Sequence, residues 1–181
     1  MIQNEWFEFV EPEDQIAQGD IFFSVPILKH PINPSEIKIG YTAAFEIEKL
    51  DGIILSQSCD LEQETIDMVL FCPIFPIDEV ALNLADANTQ KAIISTKERL
   101  WDGRYLAYHV LNKCELEGFN NDFFVVDLKN PRSLPIDFIK KLTELSPKRI
   151  RLKTPYREQL SQSFARVIMR VGIPDKRPQF G

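Results

Sequence analysis

Gly52-Ile53-Ile54-Leu55-Ser56-Gln57-Ser58-Cys59-Asp60-Leu61 is an apolar run that ends abruptly in five small or polar side chains, a thiol and a carboxylate among them. The apolar part reads as a buried strand, and the change of character at Ser56 reads as its end. A strand end is held by the scaffold while the adjoining loop leaves it reachable, so it is a natural place for chemistry.

Working outward, Gln18-Gly19-Asp20 reads as a turn into a β-rich run through Ile27, with Pro26 placing that strand at an edge or ending it. Phe45 to Leu50 alternates apolar and polar side chains as a half-buried strand does, and Asp51-Gly52 predicts a tight turn before Ile53. Met68 to Ile74 is continuously apolar, as expected of a strand covered on both faces, with Pro73 and Pro76 marking its end. Helical composition follows from Ile77 to Leu100, then two strands at Tyr105–Leu111 and Phe123–Leu128, and a short helix running up to Ser146-Pro147. A terminal helix is predicted from Pro155 to Val171. Thr154 is its expected N-cap, Pro155 its first residue and Gly172 its stop, with Tyr156, Leu160, Phe164, Val167, Ile168 and Val171 on one stripe. Arg157, Arg166 and Arg170 fall largely off that stripe and are the expected partner-binding residues.

The expected class is α+β: a small antiparallel β-barrel with inserted helices and a C-terminal amphipathic helix, in one domain spanning residues 1–181. The barrel core is placed at 15–128, its helical insertion at about 77–100, and the helical appendage at 133–172. The chain is long enough for a sizeable core. No apolar run approaches the roughly 20 residues that cross a bilayer. The acidic opening MIQNEWFEFVEPED lacks the basic and apolar regions of a secretory signal, and the three cysteines lack short pairing. Together these set the expectation of a cytoplasmic protein with reduced thiols and no membrane association.

The net charge of −6 conceals a division. Residues 1–98 carry five Lys and no Arg against eighteen acids, a balance of −13, whereas 99–181 balance at +7. The basic residues crowd towards the end, from Lys140 to Arg177. They read either as a patch for nucleic acid or an acidic partner, or as a region that folds against the acidic half.

Ser56, Ser58, Cys59, Asp60 and His109 are the candidate catalytic residues. Cys59 with His109 as base, and Asp60 or Asn112 as orienter, has the composition of a nucleophilic triad. Cys59, Cys72, Cys114 and His109 can ligate metal but lack the short spacing that clamps zinc, so no metal and no cofactor is expected. The acidic run Asp60, Glu62, Glu64, Asp67 lacks the glycine and alternating oxygens of a calcium loop and reads as a solvated connection. Glycine-rich phosphate loops and nucleophile elbows are absent.

Gly19-Asp20-Ile21-Phe22, Ile53-Ile54-Leu55-Ser56 and Val69-Leu70-Phe71-Cys72-Pro73-Ile74, in that order, resemble the MazF/PemK family over about residues 15–80. The resemblance implies an SH3-like barrel of the kind used by ribosome-independent endoribonuclease toxins. That family uses an arginine after the first strand and a Ser or Thr after the strand matching Ile53–Leu55. Ser56 or Ser58 fits the second role, whereas the first arginine here is Arg99, leaving Lys29 or Lys38 as substitutes that lack the bidentate grip. Pro155 to Arg166, with Met169-Arg170-Val171-Gly172, is similar to the ending of an uncharacterised bacterial group that shares the SQSCDL strand. The leading expectation is a barrel that has lost ribonuclease chemistry and binds a protein partner in stress response or phage defence. An active endoribonuclease toxin, touching nucleic acid through the basic end, and a cysteine-dependent enzyme are the alternatives.

Overall fold

The computed structural model describes residues 5–29, 46–115, 122–145 and 149–169. Within them the chain is α+β. Its strands are β1 (Phe7–Val10), β2 (Asp20–Lys29), β3 (Glu46–Ile54), β4 (Met68–Pro76), β5 (Tyr108–Leu111), β6 (Phe124–Asp127), β7 (Arg132–Pro135) and β8 (Arg149–Leu152). The helices are α1 (Ser58–Glu62), α2 (Ile77–Leu84), α3 (Gln90–Trp101), α4 (Ile136–Leu145) and α5 (Tyr156–Ile168).

All ladders are antiparallel and follow the order β1-β8-β2-β3-β4-β6-β5, with β7 on the first half of β4. Among the described residues the path is open, ending at β1 and β5, where a closed barrel was the sequence-based expectation. The sheet is covered on both sides, which explains the continuous apolar runs of its central strands. Ile21, Ile53, Cys72 and Val126 point into one core beneath Leu160 of α5, joined by Tyr156, Phe164 and Val167. Their chain neighbours Phe22, Ile54 and Phe71 point into a second core with Ile139 of α4 and Leu61 of α1. A third core packs α2 and α3, through Val80, Ala81 and Leu100, on Val110 and Val125.

Three local expectations are corrected. Asp51-Gly52 is no turn: both lie inside β3, where Gly52 pairs with Phe22 on one side and Pro73 on the other. Glycine serves there because the Phe71 ring lies against it, and a Cβ would stand 2.3 Å from Phe71 Cζ. Asp51 instead accepts a hydrogen bond from Ser24 N (2.7 Å), where β2 bulges and Ser24 takes φ 54°. Pro73 does not end β4. It sits where β4 passes from β3 to β6, so its missing N–H falls at a change of partner. Finally, α5 begins at Tyr156, with Pro155 in the cap position, while the Thr154 hydroxyl bonds the Glu158 carboxylate at 3.0 Å. Pro26 does occupy an edge-like position, because β8 reaches only Asp20 and Ile21 of β2. Strands β1, β7 and β8 were not foreseen.

Candidate functional site

The ladder between β3 and β4 closes with Leu55 N donating to Leu70 O at 2.8 Å, and the chain then turns into α1. The two serines beyond it serve the backbone. Ser56 Oγ accepts from Leu70 N (2.8 Å), and Ser58 Oγ accepts from Gln18 N (3.1 Å). The buried Gln18 side chain closes the clamp by donating to Leu55 O at 2.6 Å. Cys59 is exposed, with Asp60 Oδ1 3.8 Å from its sulfur. The other two thiols are fully buried. Burial, with the nearby Asp127 charge, pushes the Cys72 thiol up to about 12, so it remains protonated.

His109 lies elsewhere, on β5, and shares no hydrogen bond with Cys59. Its Nδ1 stands 3.0 Å from Ser163 Oγ on α5. The Ser163 hydroxyl in turn donates to Gln159 O at 2.9 Å, so the proton between the two side chains belongs to Nδ1. Nε2 is then a bare acceptor, and it is buried without a hydrogen-bond partner. Burial lowers the pKa of His109 from 6.5 to about 4, keeping the ring neutral near pH 7.

His109 and Ser163 line a half-open cavity of about 180 Å³, walled by Trp6, Trp101, Leu106 and Tyr108, with Gln159 and Arg166 from α5. Trp6 is stacked on Tyr156 (centroids 4.1 Å apart), and Trp101 packs edge-on against Phe123 (5.5 Å). A separate groove of about 320 Å³ lies between the Ser56–Asp60 segment and α5, lined by Gln18, Leu55, Gln57, Phe164, Ile168 and Met169 among others. The candidate catalytic residues therefore divide between two places: Ser56, Ser58, Cys59 and Asp60 at the strand end, His109 in the other cavity.

Among the described residues, much of the basic end is paired. Asp20, fully buried, receives Arg149 Nε at 3.3 Å and Arg151 Nη2 at 3.0 Å, with Arg151 Nε on its other oxygen. Arg149 also donates to the carbonyls of Pro12 (3.4 Å) and Asp14 (2.6 Å). Lys140 pairs with Glu64 at 2.6 Å. Of the expected partner-binding arginines, Arg157 bonds Glu158 and Thr154, Arg166 lines the His109 cavity, and Arg170 lies outside the described residues, as do His30 and Lys38.

Sequence reasoning missed Trp6, Trp101 and Ser163. A signal was present in α5, where Gln159, Ser163 and Arg166 form an i, i+4, i+7 polar stripe beside the apolar one. Among the described residues no three His, Cys, Asp or Glu gather to hold a metal, and no helix is long and apolar enough to cross a membrane. Comparison with protein-family models yields no match, and comparison with curated proteins yields none either.

Proposed function

We propose that this chain is a MazF-like scaffold without ribonuclease chemistry, acting in the bacterial cytoplasm as a protein-binding module in stress response or phage defence. The strands bearing the three resembling motifs, β2, β3 and β4, are consecutive neighbours in the sheet, which supports the relation. The observation that carries the loss of chemistry is the use made of the resembling groups. Both serine hydroxyls cap backbone N–H groups, and the position after Gly19 holds Asp20, an acid that absorbs two arginines. RNA cleavage requires cations on the phosphorane, and the two arginines of β8, beside β2, are committed to the fold.

The binding surface is the groove between Gln57 and the end of α5. Ile168 is 60% and Met169 78% exposed, beside Leu55 and Phe164, and among the described residues no charged side chain lines the groove. The Gln57 side chain offers hydrogen bonds suited to a peptide backbone, and Ser161 Oγ, which donates to Arg157 O at 3.1 Å, can still accept one. The occupant is an uncharged apolar segment of a protein partner.

Tagged protein purified from its native host is expected to retain one stoichiometric partner. Met169→Glu should release it and Leu28→Glu, on the distant β2–β3 ladder, should not. Recovery of the wild type alone, or a partner indifferent to Met169→Glu, overturns the reading. Cleavage of a mixed RNA pool at low salt would overturn the loss of nuclease chemistry.

A further inference from the structure

We propose that the cavity between β5, α3 and α5 is a binding site for a small planar acid, a monocyclic heteroaromatic ring bearing at least one N–H donor and one anionic group. At about 180 Å³ it is too small for a drug-sized molecule and suits a single ring. Its indole walls are set by their own packing: Trp6 is held flat on Tyr156, and Trp101 is held by Phe123 while remaining 52% exposed. Flat aromatic walls favour a flat guest.

The polar groups specify the rest. His109 Nε2 is an acceptor without a partner, its tautomer fixed by the relay from Nδ1 through Ser163 to the Gln159 carbonyl. A buried acceptor left unpaired is costly, and a ligand N–H removes that cost. Arg166, one turn beyond Ser163 on α5, lines the same cavity, is exposed, and has no acidic partner among the described residues. Among the described residues no carboxylate lines the cavity, and the one charged lining group is a cation. A guanidinium at the rim and a neutral imidazole within select a ring carrying an acid on one edge and a donor on another.

The site is independent of the protein-docking groove, which involves Ser161, Ala165 and Ile168 rather than Gln159, Ser163 and Arg166. Titration of the ¹⁵N-labelled full chain with orotate, uracil and benzoate tests it. Orotate has both the acid and the N–H, uracil lacks the acid, and benzoate lacks the donor. Orotate is expected to shift the indole N–H signals of Trp6 and Trp101 and the imidazole nitrogens of His109, at least tenfold more tightly than either of the others. Arg166→Ala, a change on an exposed side chain, should weaken orotate about tenfold and leave uracil unchanged, while His109→Phe should erase the preference over benzoate. Met169→Glu should leave orotate binding intact. No shift with orotate at millimolar concentration, which would leave the cavity to water alone, or orotate binding unaffected by Arg166→Ala, overturns the proposal.

Discussion

Gly52 shows how a single residue can be read correctly as special and wrongly as to why. Asp51-Gly52 has turn chemistry, but the requirement there is space: a Cβ would lie 2.4 Å from Phe71 Cε1 and 2.6 Å from the carbonyl oxygen of Cys72. The ring has no room to retreat, because Phe71 is fully buried, and the carbonyl belongs to a paired strand. Gly52→Ala should therefore lower unfolding free energy by about 3 kcal/mol, the upper end of overpacking costs, measured by urea denaturation. A loss below about 0.5 kcal/mol would show that the ring and strand yield easily. The same limit applied to the serines. The switch from apolar to polar at Ser56 revealed a strand end, but sequence does not distinguish a hydroxyl free for chemistry from one accepting the N–H of Leu70 or Gln18. Those partners lie 14 and 40 positions away.

At the scale of elements, the apolar runs of β2 to β6 and the periodicity of α2 to α5 were legible, whereas β1, β7, β8 and the five-residue α1 were not, because each is short and interleaves polar or charged side chains with its few apolar ones. Arg149-Ile150-Arg151-Leu152 is the instructive case. Two arginines in four residues read either as a patch for a partner or as a face against the acidic half, and Arg149 is 1% exposed because Asp20 on the neighbouring strand and the carbonyls of Pro12, Asp14 and Gln15 surround its guanidinium. Removing the acid leaves a buried cation uncompensated, which costs far more than the intact cluster contributes. Asp20→Ala should destabilise by about 3–5 kcal/mol. Replacing the pair together, as Asp20→Leu with Arg149→Met, should recover a large part of that loss. Because the cluster is shielded from solvent, the penalty should change little between 0.1 and 1 M salt, unlike any contribution from the exposed Lys140–Glu64 pair. A penalty for Asp20→Ala under 1 kcal/mol in chemical denaturation would mean that water reaches Arg149.

For the whole molecule, the opposed charges of the two halves meet at two places among the described residues, where β8 and α4 bring basic side chains to Asp20 and Glu64. That outcome was one of two the sequence allowed, since charge balance does not reveal which residues meet. His109 was visible as a candidate, while its partner Ser163 stands 54 positions away and the indoles beside it, Trp6 and Trp101, come from two other parts of the chain. The buried imidazole makes the stability of the entire domain depend on pH. In the unfolded chain His109 takes up a proton near pH 6.5, whereas burial delays protonation in the folded protein to about pH 4. Between those values the unfolded state binds more protons, so unfolding free energy falls as pH falls. The stabilisation is fully present above pH 6.5, is lost progressively down to pH 4, and changes no further below it. A difference of two to three pH units corresponds to about 3 kcal/mol. Glu64 is lowered by its hydrogen bond to Lys140 and by the Lys140 charge. This holds in wild type and His109→Phe alike, and therefore cancels in their difference. Urea denaturation of both proteins from pH 7 to 4 should show wild type losing about 3 kcal/mol more than the variant. Parallel pH profiles would mean that the folded protein protonates His109 as readily as the open chain does, with the imidazole hydrated and Nε2 no longer a dry acceptor.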